Sequence, residues 1–504
     1  MPAEPIRKLV ILGGGTAGWM AAAMASRTWG QRLSITLVES EAIGTVGVGE
    51  ATIPPLIKLL RFLGLDEDVT LRNIQGTFKF GIEFDGWRRK GESYMHSFGT
   101  PGAPIGIVPF YQYWLRRHLA GEDCGSLWDY SLNTQVSYAG KMSREPRIEG
   151  NLPGPERAFH FDAGLLAQFM RRGCEASGVV RREGKVSGVN LRPEDGFIES
   201  LTLDSGEIID GDMFIDCSGF VGVLIEGALK AGYEDWTHWL PCDRAVAVPC
   251  ERPTGPIEPF VVCTAREAGW QWKIPLQHRT GNGYVFCSGF TDEDDASEKL
   301  MARLPGKALK DPKLLCFTTG HRRKIWNRNV VAVGLASGFL EPLESTSIHL
   351  SQIVINRLIS QFPKSGICQS AVDQFNADIL ADYVNVKDFL IAHYKVTDRE
   401  DTPLWRHCRH MDIPDSLKVR LDIFRQTGHV HLRPHELFTE ASWFAVLVGQ
   451  GLFPADYNPQ VDAISEDQLR LRLAKIRTGI TDRLDRLPDH GAYLERIANM
   501  LVAG

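Results

Sequence analysis

The apolar run Leu9-Val10-Ile11-Leu12 passes directly into Gly13, Gly14 and Gly15, and the following residues, Trp19 to Arg27, are rich in Ala and Met. A short continuous apolar run stopped by a turn signal is the pattern of a buried strand. The N-terminal segment therefore predicts strand, tight loop and helix, with a second strand over 33–38 that ends at Glu39. Residues 77–150 interleave Phe, Trp, Tyr and Gly and predict loops and short helices, not a regular βαβ array. Strands return near 198–203 and 213–215, the latter running into Asp216 and the small-residue turn Cys217-Ser218-Gly219. Residues 330–333 predict another strand, leading through Gly334 to a helix that starts near Ser345. In the last third the period changes. Phe375, Ile379, Tyr383, Val386 and Leu390 form one helical stripe, and Leu469, Leu473, Ile476, Ile480, Leu484 and Leu487 form another. Each is the single apolar face of an amphipathic helix.

Strand, glycine loop, helix, strand and terminal acid together fit a dinucleotide-binding unit. Gly13 allows the chain to turn, Gly15 allows backbone N–H groups to approach a pyrophosphate, and Gly18 allows the helix to pack close. The helix N-terminus, at Thr16 and Ala17, presents its positive end to the phosphates. Glu39 is placed to accept hydrogen bonds from ribose hydroxyls. Alone, the glycines would be an ordinary tight turn. Gly281-Asn282-Gly283 and Gly449-Gln450-Gly451 lack this context, so no second site of the same kind is expected for a nicotinamide cofactor. The stretch from Gly44 to Pro55 combines glycines with Pro54-Pro55 and reads as a flexible loop stopped by a rigid turn.

Composition narrows the class. With 43% apolar and 23% charged residues in 504, a packed globular core is expected, divided here into residues 1–360 and a mostly helical 361–504. The net charge of -6 gives no basic excess for nucleic acid or an anionic membrane. No stretch approaches the ~18 apolar residues of a membrane span, and residues 1–8 do not form a secretory leader. The 10 cysteines show no CxxC spacing, which reads as reduced thiols in a cytoplasmic protein. His407, Cys408 and His410, and His429, His431 and His435, lack the paired spacing of a zinc site, so no metal is expected.

Three further segments carry chemistry: Gly76-Thr77-Phe78-Lys79-Phe80, Trp270-Gln271-Trp272-Lys273-Ile274-Pro275, and Gly338-Phe339-Leu340-Glu341-Pro342-Leu343-Glu344-Ser345-Thr346-Ser347. By local pattern alone, Lys79 reads as an exposed lysine on an alternating strand and Glu344 as a first-turn acid complementing a helix dipole. Glu341 is a rival carboxylate, and the two tryptophans suit a half-buried strand. Taken together with the N-terminal glycine loop, the segments resemble the flavin-dependent halogenases that act on tryptophan and other indoles.

That resemblance implies an α/β fold of the glutathione-reductase-like FAD-binding type, with aromatic-rich insertions and a mostly helical C-terminal cap. It implies that reduced FAD and oxygen convert chloride or bromide to hypohalous acid, which is delivered to Lys79 with Glu344 assisting. The rings of Phe78 and Phe80 are expected to desolvate the lysine. Gly49, Glu50 and Ala51, in a strap over the flavin, join Gly334 and Leu343 at the cofactor. Ser345 links flavin side to substrate side. The backbone N–H groups of Thr346 and Ser347, at a helix start, offer a halide site; many relatives have Gly where Ser347 stands, and several have Arg where Val221 stands. Trp270 and Trp272 would act as gatekeepers, blocking direct approach of an organic substrate to the flavin. His96 and Phe98, with Trp443 and Phe444 as the far wall, would stack an indole. The tyrosines and acid with which tryptophan-specific relatives hold an amino-acid head are not evident over 436–454, which favours a less polar indole or one attached to a larger partner. Because one nucleotide fingerprint serves one cofactor, a separate NAD(P)H-dependent flavin reductase is the expected source of reduced FAD. A flavin monooxygenase that oxygenates an aromatic ring, or a non-catalytic flavoprotein binding an aromatic ligand, are the competing readings.

Overall fold

A computed structural model describes residues 5–43, 49–145, 147–148 and 152–500. Its centre is a six-stranded sheet in the order Val180–Glu183, Ser34–Glu39, Lys8–Leu12, Met213–Asp216, Val330–Ala332, Trp326–Asn327. All neighbours are parallel except the last pair. The unbroken apolar run at Leu9 has a direct cause. Leu9 and Ile11 enter the main core with the helix Thr16–Trp29, while Val10 and Leu12 enter a second core with Ile198, Leu201 and Leu203. A strand covered on both faces cannot alternate apolar with polar. The first helix extends a few residues beyond the predicted stretch at both ends, starting immediately after Gly15.

Residues 77–150 hold more strand than expected. Thr77–Lys79, Gly81–Asp85 and Ser93–Ser97 accompany the short helices Phe110–Leu119 and Leu132–Tyr138. Phe78, Phe80, Ile82 and Phe84 lie at a period of two and are all buried, an alternation masked by the surrounding rings. Gly81–Asp85 joins a seven-stranded sheet parallel to Val261–Arg266 and antiparallel to Ser93–Ser97. The same sheet carries Gly269–Pro275 opposite Thr280–Phe286, which puts Trp272 across from Gly283. A Cβ on Gly283 would lie 2.1 Å from the Trp272 ring, so the glycine makes room for the indole. Thr77–Lys79 instead pairs with Ala158–Asp162, whose other neighbour is Gly49–Ala51.

The helix after Val330–Ala332 begins at Ser347, not Ser345, and runs to Gln361. Ser345 is left-handed, φ 57, and a helix cannot propagate through that conformation. Beyond it, Gln369–Lys395 buries Phe375, Ile379, Tyr383, Val386 and Leu390 on its apolar face. Glu466–Leu484 likewise buries Leu469, Leu473 and Ile480. The main core runs without interruption from Leu9 through Phe389 to Ile497, so the C-terminal helices and the parallel sheet share one interior. Among the described residues no helix is long and apolar enough to cross a membrane.

Candidate active site

A cavity of about 960 Å³ lies at the carboxyl ends of the strands Lys8–Leu12, Ser34–Glu39 and Met213–Asp216, where open α/β sheets bind nucleotides. Gly13, Gly15, Thr16, Ala17, Glu39, Gly49, Glu50, Ala51 and Gly334 line it. Gly18 does not reach it; a Cβ there would lie 1.8 Å from the Gly13 carbonyl, so this glycine sets helix packing. Leu343 is buried in the core and does not line the cavity. Gly13 has φ +112, and a Cβ there would be 2.2 Å from the Cys217 carbonyl oxygen. Glu39 is ion-paired to Arg181 at 2.5 Å and to Arg171 at 3.5 Å, with Oε2 turned to Gly14. Burial pushes the Glu50 carboxyl up to about 7. Of the expected strap, residues 44–48 lie outside the described residues. Glycines that no Cβ could replace at one end, an apolar wall at the other and a volume near the top of the ~300–1,000 Å³ range of ligand sites fit an FAD.

The far wall of this cavity includes Trp270, Trp272, Ser345 and Ser347. Trp270 and Trp272, two apart on one strand, face the cavity together. Behind Ser345 lies Lys79, 0% exposed at the end of its strand. The Lys79 amine donates to Ser345 Oγ at 2.9 Å and to the Thr52 carbonyl at 3.0 Å. The rings expected to flank it do not. Phe78 and Phe80 stack on each other, centroids 6.3 Å apart, because strand neighbours point to the opposite face. The ring over the amine belongs to Phe98, whose centroid is 5.3 Å from Nζ. Burial lowers the Lys79 pKa to about 7, against the pull of the Glu344 carboxylate.

Glu344 ends a single turn of 3-10 helix, Pro342–Glu344, and is buried. Its direct partners are imidazoles. His96 Nδ1 is 3.0 Å from both carboxylate oxygens, and His393 Nε2 is 3.0 Å from Oε1. Burial works to raise the Glu344 pKa, but His96 first and His393 with it outweigh burial and hold the carboxyl at about 2. Glu341, three residues earlier, points elsewhere. Its Oε2 accepts from Tyr394 at 2.8 Å and from Trp270 Nε1 at 3.3 Å, while Oε1 has no partner. Burial pushes it up to about 7. The two carboxylates thus occupy opposite electrostatic settings: one ionised between imidazoles, one ready to stay protonated near neutrality.

The remaining expected residues divide. Thr346, whose Oγ1 has no partner, is buried just ahead of the helix Ser347–Gln361. His96 bonds to Glu344 through one edge, while its ring lies 5.5 Å from Phe389 and 6.2 Å from Phe438. Trp443 meets Phe389 edge-on at 4.8 Å, with the Arg420 guanidinium 4.1 Å over its ring. Phe444 does not join this group; it stacks on Tyr111 at 4.2 Å. Consecutive residues on a helix point about 100° apart, which turns Phe444 toward Tyr111 and Trp443 toward Phe389. Three side chains of this cluster escaped the sequence reading: His393, Phe389 and Phe438, the last two stacked 3.8 Å apart. His393 had a visible signal: three residues past Leu390, it takes the next slot on an apolar stripe. Among the described residues no group of three His, Cys, Asp or Glu side chains could hold a metal.

Residues 8–466 match the tryptophan halogenase family. The chain is 33% identical to the tryptophan 6-halogenase ThaL of Streptomyces albogriseolus, over 92% of this chain and 93% of that protein. It is 32% identical to the tryptophan 7-halogenase RebH of Lentzea aerocolonigenes, over 90% and 92%. Among solved structures, a flavin-dependent halogenase from Xanthomonas campestris superposes with a TM-score of 0.94 at 43% identity, covering 99% of this chain and 100% of that one. One from Brevundimonas gives 0.94 at 43%, covering 98% and 99%. A nucleotide cavity, a buried lysine behind its wall and whole-length likeness in sequence and fold converge: the chain belongs to the tryptophan halogenase family and is a flavin-dependent halogenase.

Proposed function

We propose that this enzyme halogenates an indole-like aromatic, using reduced FAD, oxygen and chloride or bromide, with Lys79 receiving the oxidised halogen and Glu344 assisting. The observation that carries this reading is the hydrogen bond from buried Lys79 to Ser345, a residue of the flavin cavity wall. When bound and reduced, FAD supplies with oxygen the two-electron oxidation that turns halide into hypohalous acid. Trp270 and Trp272 keep an organic ring away from that chemistry, and the backbone N–H groups of Thr346 and Ser347 suit the halide. Ser345 marks the passage. Lys79, with its pKa near neutrality, can donate a proton to the hypohalous oxygen or, as a free amine, carry the halogen itself. As the ring carbon attacks, the oxygen–halogen bond breaks and the hydroxide leaves as water with the lysine proton. Glu344 then accepts the ring proton.

The helical region 361–504 is read as the cap of the substrate chamber, contributing Phe389, His393, Phe438 and Trp443. Over 436–454 both acids are already engaged: Glu436 is ion-paired to buried Arg420, and Glu440 accepts from the Tyr111 hydroxyl at 3.3 Å. This supports a less polar indole over free tryptophan. A separate NAD(P)H-dependent flavin reductase supplies reduced FAD, and free thiols throughout suit the cytoplasm. The test is a product screen across indoles with a flavin reductase, FAD and either halide, read by mass. Lys79→Ala should lose halogenation while still binding FAD and releasing peroxide; halogenation retained in that variant overturns the assignment.

A further inference from the structure

Glu344 is held from two sides, and the scheme above leaves His393 without a task. His393 is fully buried in the helix Gln369–Lys395. The rings of Phe84, Phe389 and Trp87 surround it at 4.8, 5.0 and 6.1 Å. An aromatic box is an unfavourable setting for an imidazole unless its nitrogens are matched. Nδ1 lies 2.8 Å from the Phe389 carbonyl oxygen. A carbonyl only accepts, so this nitrogen carries a proton. Nε2 lies 3.0 Å from Glu344 Oε1, within ion-pairing range though not hydrogen-bonded. A bare lone pair so close to a carboxylate oxygen would be repelled, so one of the two groups carries a proton. His96 Nδ1, 3.0 Å from both Glu344 oxygens, is a second donor. Two donors on one carboxylate favour its ionised form, which leaves that proton on His393.

We infer that His393 is a positioning residue for halogenation, whose second proton keeps Glu344 ionised and its carboxylate aimed for taking the ring proton. This rests on the reading of Glu344 given under Proposed function. In the step, the proton passes from the ring carbon to Glu344, and the electron pair of the broken C–H bond restores the aromatic system. His393 keeps both its protons throughout. The other titratable groups facing the pair are Lys79 on its strand, His96 and Tyr94 on Ser93–Ser97, and Cys263 on Val261–Arg266, with Glu341 just ahead of Glu344.

The test uses full-length enzyme with a flavin reductase, FAD, bromide and indole, and reads kcat, KM for indole and the pH profile. His393→Leu removes charge and donor, while His393→Gln removes the charge and retains an amide donor. If the leucine variant does not fold, the glutamine variant carries the test. Either should lower kcat about 10-fold or more, short of the ~10²–10⁴ that a placed base contributes in full, with KM for indole little changed. The acid limb should move up by about 1–3 pH units, the effect of losing an opposite charge at close range. In a Glu344→Gln background the same substitutions should change neither quantity. An unmoved acid limb, or an equal loss in the Glu344→Gln background, overturns the inference. Full activity in Glu344→Gln alone instead removes the reading of Glu344 on which it rests.

Discussion

Lys79→Met tests the central feature, a lysine amine buried without a carboxylate in direct contact. Methionine keeps most of the side-chain volume and removes the charge. In the folded protein the amine titrates at about 7, against 10.5 for an ordinary lysine. At ~1.4 kcal/mol per unit, that difference is about 5 kcal/mol. The sign follows from which state binds the proton more tightly. Below pH 7 both folded and unfolded chains carry it, and the fold bears the whole penalty of a buried ammonium. Between pH 7 and 10.5 only the unfolded chain holds the proton, so parent stability recovers as pH rises. The methionine variant has no such dependence. Against it stand the lost hydrogen bonds to Ser345 and Thr52, about 1 kcal/mol each. Lys79→Met should therefore be more stable than the parent by roughly 2–3 kcal/mol at pH 6.5 and less stable near pH 10. Urea unfolding at pH 6.5, 8 and 9.5, followed by tryptophan fluorescence and far-UV circular dichroism on flavin-free protein, measures the difference, and coincident transitions justify the free energies. Other alkaline titrations affect both proteins and cancel. A difference that stays flat from pH 7 to 10 would refute a pKa near neutrality.

Glu341 makes the opposite test. Its carboxyl sits at about 7 instead of 4.5, so it is neutral without penalty at low pH, and the fold loses stability as pH rises from 4.5 to 7, where only the unfolded chain has given up the proton. Glu341→Gln, which still accepts from Tyr394 and Trp270, should leave stability at pH 4.5 nearly unchanged and raise it by about 3 kcal/mol at pH 9; no gain at pH 9 would contradict the assignment. Arg420, buried against Glu436 and over the Trp443 ring, anchors the segment that ends in Phe438. Arg420→Met should cost about 3–5 kcal/mol by stranding a buried carboxylate, and a thermal shift under 1 °C would show the pair to be dispensable.

The parallel unit was legible in sequence because each part of it is local: a strand, three glycines, a helix and an acid within some thirty residues. The amphipathic stripes at Phe375 and Leu469 were legible for the same reason. The surroundings of Lys79 and Glu344 were not, because their contacts are remote. Lys79 and Ser345 are 266 positions apart, and nothing near Lys79 announces Phe98 as its ring or Thr52 as its second acceptor. Local adjacency also misled. Phe78 and Phe80 flank Lys79 in the chain and turn away from it in the strand, and Phe444 follows Trp443 but faces Tyr111. His393 was missed because a single polar residue in an apolar stripe is usually a core residue with satisfied nitrogens, and its partner lies on a distant turn.

Ser345 holds a left-handed backbone that only glycine adopts freely, at a cost of order 1 kcal/mol. Glycine would relieve the torsion and delete the hydroxyl; alanine would keep the torsion and still delete it. Threonine would keep the hydroxyl but add a branch to a residue already in a conformation that branched residues resist. Each neighbouring choice surrenders something, so genetic drift has almost nowhere to go at this codon, and a library randomised there should return serine or inactive clones.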